Sequence, residues 1–175
     1  MEFTKYHKLG AYHWKMYEDK NTKYSRHADK VVEWIKENRV LDNGAGDGKI
    51  TAMLNAIGVD NEPEAVRLAQ ENGANVMLGD SYKLQFNDDE FEAVFMGDVL
   101  EHFEFPEKAL IESKRILTKC LYIANPIKGL DNDPFHYQEW TPQELKEFVE
   151  PLGFILEDVL TVRKDKRDYL KFRKV

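Results

Sequence analysis

Two rhythms of apolar and polar positions alternate along this chain. Ala28, Val31, Val32, Trp34 and Ile35 recur at helical spacing, which predicts a helix from about Lys23 to Glu37 with Thr22 as its cap. From there short apolar runs alternate with amphipathic stretches. Val40-Leu41-Asp42 reads as a first strand ending in a glycine-rich turn, and Lys49 to Asn55 as a short helix. Ile57 to Asp60 is a second strand. The helix after it opens at Asn61-Glu62-Pro63 and is ended by Gly73, with proline near the front and glycine just past the back. Asn75 to Leu78 and Phe91 to Met96 are the third and fourth strands, Pro106 to Ile116 is a helix, and Cys120 to Ala124 is the fifth strand. Thr141-Pro142-Gln143-Glu144 is a capping box with proline at the first helical position, starting a helix that reaches about Val149. Phe154 to Thr161 and Tyr169 to Arg173 form a terminal hairpin.

Five βα units followed by a hairpin predict an α/β fold. Its seven-stranded, doubly wound sheet is mainly parallel, with helices on both faces and an antiparallel C-terminal hairpin. In such sheets the ligand lies outside the carboxyl ends of the strands, near the switch in strand order. Residues just after each strand are therefore the candidates for function. No repeat, low-complexity tract or linker breaks the chain, so residues 1–175 read as one domain, with 1–37 preceding a core of 38–175. The first 24 residues hold Phe3, Tyr6, Tyr12, Trp14, Tyr17 and Tyr24, an aromatic density about twice that of the whole chain. That density predicts a segment packed on the core.

Composition narrows the setting. Hydrophobic residues make up 42% of the chain, enough for a core and against disorder throughout. The longest stretch without a charged residue, Ile50 to Val59, is too short to span a bilayer, and the first ten residues lack the apolar run of a secretory signal. Cys120 is the single cysteine, which excludes an internal disulfide and a multi-thiolate metal site. The expectation is a soluble, cytoplasmic protein. The net charge of −7 is uneven: −12 over residues 41–112, +3 before them and +2 after. An acidic middle disfavours nucleic acid, whose phosphates call for clustered Lys and Arg.

The turn after the first strand reads Leu41-Asp42-Asn43-Gly44-Ala45-Gly46-Asp47-Gly48. Glycines in alternation between strand and helix let backbone approach a ligand closely. A dinucleotide fingerprint would need glycine where Lys49 stands. A phosphate-binding P-loop would need glycine at Asn43 and a hydroxyl at Ile50. The pattern acidic-x-Gly-x-Gly-x-Gly is met in full by Asp42, Gly44, Gly46 and Gly48.

On these residues the chain resembles the class I S-adenosylmethionine-dependent methyltransferases over about residues 25–155. Leu41 to Gly48 looks like the family's first motif, where Asp42 and the backbone of Gly44, Ala45, Gly46 and Gly48 face the methionine part of the cofactor. Gly58-Val59-Asp60 resembles the second, which implies that Asp60, with Asn61 beside it, receives both ribose hydroxyls. Leu78-Gly79-Asp80-Ser81 is similar to the third, which implies adenine contacts for Asp80 and Ser81. Gly97 and Asp98-Val99-Leu100-Glu101-His102 resemble the segment after the fourth strand in the small-molecule branch, which includes quinone-pathway methyltransferases of the methyltransferase-11 type. The resemblance implies a Rossmann-like core, an N-terminal helical lid built from the aromatic segment, S-adenosyl-L-methionine as cofactor and a small-molecule acceptor. It also carries two departures. Only twelve positions lie from Gly48 to Asp60, which leaves Glu62 as the alternative carboxylate, and Leu117-Thr118-Lys119-Cys120 replaces the family's Pro-Gly-Gly turn.

Methyl transfer from a sulfonium is an in-line displacement whose leaving group departs neutral, so alignment and desolvation are the main tasks. A hydroxyl acceptor also needs a base, an amine does not. His102 and His136 are the candidate catalytic bases; the alternatives are loop ordering through Glu101 for His102 and an exposed loop position for His136. Lys5, His7, Lys8, His13 and Lys15 read as surface groups. Asp98, Glu101, His102 and His136 also resemble the metal-binding run of small-RNA terminal ribose methyltransferases, but no basic nucleic-acid surface is visible and many small-molecule members carry similar residues without a metal, so the expectation is a small acceptor and no metal. A non-catalytic cofactor-binding domain is the third reading, opposed by the intact motifs.

Overall fold

The computed structural model describes residues 5–130 and 133–175; Phe3, counted above in the aromatic segment, lies outside them. Two short helices, α1 (Lys5–Leu9) and α2 (Tyr12–Glu18), lead into α3 (Lys23–Trp34). Thr22 caps α3 by accepting the Ser25 N–H, as its position before the apolar repeat predicts. The helix stops at Trp34 rather than Glu37, because Ile35 turns extended and sends its side chain into the core. The alternation then runs β1 (Val40–Asn43), α4 (Lys49–Leu54), β2 (Ile57–Asp60), α5 (Pro63–Glu71), β3 (Val76–Leu78), β4 (Phe91–Gly97), α6 (Pro106–Ile116), β5 (Leu117–Pro126), α7 (Pro142–Val149), β6 (Phe154–Val162) and β7 (Arg167–Lys174).

The strands form one seven-stranded sheet in the order β3-β2-β1-β4-β5-β7-β6, parallel except where β7 pairs antiparallel with β5 and β6. Its two faces follow from the period of two along each strand. On β4, Val94 and Met96 enter a cluster with Leu110 and Ile116 of α6 and Leu145 of α7. Ala93 and Phe95 face the other way, toward Ala28 and Val31 of α3. Burial on both sides is why these strands read as apolar runs without clean alternation. Each of the larger of these side chains, Val, Leu, Ile, Met or Phe, contributes about 1.5–3 kcal/mol by leaving water.

Two expectations need correction. Four helices, not five, follow the parallel strands: residues 79–90 between β3 and β4 form turns and bends. There Asp80 accepts the Tyr82 N–H at 2.8 Å and Glu90 accepts the Asn87 N–H at 2.7 Å, local bonds that compete with a helix. Arg115 of α6 pins the segment through the carbonyls of Leu84 and Phe86. The second correction concerns β5, which begins at Leu117, directly after α6. Leu117 is fully buried opposite Phe91, so the residues read as a substitute turn are strand.

The chain winds outward from β1 through β2 to β3, then returns to place β4 on the other side of β1. The reversal leaves the carboxyl ends of β1 and β4 side by side. Gly44 shows how closely the two loops meet there: its φ is +88°, and a Cβ on it would lie 2.3 Å from Val99 Cγ2.

Candidate active site

The glycine turn is built from below. Asp42, buried in β1, accepts the Thr51 hydroxyl of α4 at 2.6 Å, tying strand to helix under the turn. Burial raises its carboxyl to about pH 7, against the pull of the Thr51 bond. Above it, Gly46 donates its N–H to Asp60 Oδ2 at 2.7 Å, while Asp60 Oδ1 accepts the Glu62 N–H at 2.9 Å. Burial raises the Asp60 carboxyl, and these backbone bonds oppose the rise. The short α4 therefore leaves Asp60 at the glycine turn, and Glu62 caps α5 by accepting the Glu64 N–H.

Beyond β2 and β3 lies a small concavity with Val59, Leu78, Leu84 and Phe86 as apolar walls and Asp80 at its edge. Asp80 is exposed and Asn61 is exposed, whereas Ser81 is buried. Ser81 donates to Asn43 Oδ1 at 2.7 Å, and Asn43 Nδ2 reaches Ser113 Oγ at 3.5 Å, so a buried polar chain joins the ends of β1 and β3 to α6. Asn43 was not among the residues singled out from the sequence; its place between an acid and a glycine concealed it.

On the β4 side, Gly97 is backed by the Phe95 ring, which a Cβ would meet at 2.4 Å. Asp98 follows with φ +50°. Both its oxygens take the Arg167 guanidinium of β7, with Nε to Oδ2 at 2.7 Å, and this cation holds the carboxyl below its usual range despite burial. Arg167 carried no sequence signal, because it lies nearly seventy positions away on the antiparallel hairpin.

The N-terminal helices lie on the glycine turn. His13 donates its backbone N–H to Asp47 Oδ2 at 2.9 Å, its ring Nδ1 lies 3.1 Å from Oδ1, and Trp14 Nε1 donates to the Asp47 carbonyl at 2.7 Å. Lys49 sits 4.3 Å over Trp14 and 4.2 Å over Tyr17. The buried Tyr6 hydroxyl stands where a Gly46 Cβ would come within 2.3 Å. The aromatic segment is thus a cover over the turn. Of the five N-terminal groups read as surface, His7, Lys8 and Lys15 are exposed, whereas His13 binds Asp47 and Lys5 binds Asp133 at 2.8 Å. Asp47, fully buried inside the glycine pattern, was missed; the cluster of aromatics elsewhere in the chain was its only signal.

His102 and His136 come together although 34 positions apart. The short 3-10 turn Leu100–His102 is zipped to the loop before α7 by the Tyr137 N–H on the Glu101 carbonyl at 2.9 Å and by His102 Nδ1 on the Phe135 carbonyl at 3.1 Å. The two imidazoles lie 4.9 Å apart, centroid to centroid. His136 Nε2 is 3.9 Å from Glu101 Oε1 and its Nδ1 3.6 Å from Glu139 Oε1. The His136 side chain is only 7% exposed, so it is not the exposed loop histidine of the alternative. Burial lowers the pKa of His102, which leaves the ring neutral. Asp98 stands apart from this cluster, engaged by Arg167. Cys120 is buried, with its thiol pushed up by burial.

Comparison with known proteins bears on this arrangement of glycine turn, Asp60 and strand reversal. Residues 41–120 match the family model described as a methyltransferase domain. That match takes in a little under half of the chain, the part that carries the glycine turn, Asp60 and β4. Among curated proteins it is 30% identical over 106 residues to an uncharacterized protein of Methanocaldococcus jannaschii, covering 60% of this chain and 52% of that one. It is 32% identical over 84 residues to a Mus musculus protein described as a probable tRNA methyltransferase 9B, covering 45% and 19%. The chain spans about half the length of the first of these and less of the second. Among solved structures, the magnesium protoporphyrin IX methyltransferase of Synechocystis with bound S-adenosylhomocysteine superposes with a TM-score of 0.76 at 18% identity, covering 97% of this chain and 96% of that one. Among the described residues no helix is long and apolar enough to cross a membrane.

Proposed function

We propose that this chain transfers a methyl group from S-adenosylmethionine to a small-molecule acceptor. One observation carries the reading: the Asp60 carboxylate stands at the end of β2, fixed by the N–H groups of Gly46 and Glu62 beside the strand reversal. Its oxygens keep lone pairs for two vicinal ribose hydroxyls, a match a single-acceptor side chain lacks. The concavity of Val59, Leu78, Leu84 and Phe86 suits an adenine ring, with Asp80 and Ser81 at its polar side. Gly44, Ala45, Gly46 and Gly48, with Asp42 beneath, would face the methionine part, and Asn61, Gly97 and Asp98 would border the cofactor.

The acceptor would lie over β4 and β5, between the cover helices and the two imidazoles. The sulfur–methyl bond breaks as the acceptor–methyl bond forms, and the thioether leaves without charge, so no general acid is required. A hydroxyl acceptor must lose its proton, and His102, kept neutral by burial, is placed to take it, with the His136 ring beside it as the second candidate. The cover excludes water from the reacting centre. The acidic charge of residues 41–112 supports a small acceptor over RNA.

The test is a panel of small hydroxyl, amine and carbon-acid acceptors, with bulk tRNA, assayed with tritiated methyl donor. Label in a small acceptor is the expected result. Label in tRNA alone would overturn the acceptor class, and cofactor binding with no transfer to any acceptor would favour the non-catalytic reading.

A further inference from the structure

We infer that Glu101, His102 and His136 form a binding site for one divalent first-row transition metal, such as cobalt, zinc or manganese. One ligand atom from each of the three residues can be chosen so that all lie within 4.8 Å of one another, with Glu101 Oε1 and His136 Nε2 at 3.9 Å. Atoms bound to one such ion at about 2.0–2.2 Å lie about 3–3.5 Å apart, so the three need to close by about 1 Å. Small side-chain rotations supply that.

The tautomers fit. The Phe135 carbonyl can only accept, so His102 Nδ1 carries the proton and Nε2 carries the lone pair. The Glu139 carboxylate 3.6 Å from His136 Nδ1 favours a proton there, which leaves the Nε2 lone pair on the Glu101 side. A carbonyl or carboxylate behind the far nitrogen is how ligand histidines are oriented in metal sites. The backbone is also fixed before any ion arrives. Besides the Tyr137–Glu101 bond, Gln138 Nε2 donates to the Phe103 carbonyl at 3.1 Å, and Lys5 holds Asp133 at the start of the same loop.

Charge points the same way. Glu101 is 1% exposed, and Glu139 and Asp133 stand nearby, with Lys5 on Asp133 and Arg167 near enough to feel the Glu101 charge. A divalent ion would add to the positive charge that offsets these carboxylates where burial makes charge costly. Two imidazoles and one carboxylate select a borderline transition metal over magnesium or calcium. Three protein ligands leave positions open, which an oxygen of the acceptor would fill. This use of the ion rests on the methyl-transfer reading, in which the metal rather than an imidazole would then favour the ionised acceptor oxygen; the binding of the ion does not. The site departs from the sequence expectation of no metal.

The probe is cobalt(II) alone, titrated into the full chain after chelator treatment and followed by ligand-field absorption. Saturation at one equivalent is expected. His136→Gln should weaken binding at least about tenfold, as should Glu101→Gln. Circular dichroism on the same samples reports folding, and S-adenosylhomocysteine binding is measured beside it. If Glu101→Gln fails to fold, His136→Gln decides alone. Absence of a saturable spectrum, or His102→Gln and His136→Gln proteins that bind cobalt as tightly as the parent, would overturn the site. S-adenosylhomocysteine binding without cobalt binding sinks this inference alone; cobalt binding without S-adenosylhomocysteine binding sinks the methyl-transfer reading and leaves the ion.

Discussion

The two halves of the site are made differently. On the side of β1, β2 and β3, three carboxylates each accept a backbone N–H only two residues on. Asp60 takes the Glu62 N–H, Asp80 the Tyr82 N–H, and Glu62 the Glu64 N–H. On the side of β4 and β5 the partners are remote: Arg167 for Asp98, Phe135 for His102, Glu101 for His136. A half whose shape comes from local turns is encoded in a short motif and can serve one constant ligand. A half assembled from distant loops can change its acceptor without disturbing the sheet.

The largest expected effect breaks the local half. Gly48 has φ +74°, and a Cβ there would lie 2.6 Å from Ala74 Cβ and 2.9 Å from Ala69 Cβ. Neither methyl can swing away, so Gly48→Val should cost about 3 kcal/mol from left-handed strain and overpacking. A thermal melt should show a fall of roughly 10 °C. Gly129 also has positive φ but nothing within 4 Å, and Gly129→Ala should move the midpoint far less. Equal shifts would show that the close approach under the turn carries no weight.

Asp60→Ala comes next. Removing the ribose hydrogen bonds proposed for it should lower cofactor affinity about tenfold or more, while Glu62→Ala should stay within roughly threefold. Calorimetry on the two variants settles the assignment, and the reverse ranking would transfer the ribose contact to Glu62.

Third is the pH dependence of Asp42. Its folded pKa of about 7 lies above the unfolded value of 3.8, so the folded state holds the extra proton between them. The contribution to stability is therefore greatest at acid pH and declines as pH rises through this window. Asp42→Asn should flatten that slope, separating the two melting curves by roughly 5 °C across the window. Parallel curves would mean that Asp42 titrates as an ordinary exposed acid.

The smallest effect concerns the cover. Asp47→Asn weakens the hold on His13 and should raise the cofactor off-rate about threefold in stopped flow, with little change in the fold. An unchanged off-rate would detach the cover helices from cofactor retention.

The same contrast governs what could be read from the sequence. Capping residues and proline positions placed α5, α6 and α7 well, because helix starts are set by side chains within one turn. Ile57 to Asp60 was legible as a strand, and so was the acidic-glycine pattern before it. The turn-rich span from Gly79 to Glu90 was counted into a βα unit, since the strand order gives no hint that its polar side chains satisfy local backbone. Strand β5 was read too short because Leu117 to Lys119 alternate weakly until Phe91 is known to lie opposite. His102 and His136 could be named by type, but their meeting depends on the Tyr137–Glu101 bond, which no local pattern encodes. Asp47 and Arg167 were illegible for the same reason, each needing a partner brought by the fold.

The central claim is that the glycine turn and Asp60 hold S-adenosylmethionine. Calorimetric titration of the full chain with S-adenosylhomocysteine, and separately with a nicotinamide dinucleotide, tests it most directly. One equivalent of S-adenosylhomocysteine binding at micromolar strength or better, with no heat from the dinucleotide, is the predicted result. Binding of the dinucleotide and none of S-adenosylhomocysteine would contradict it.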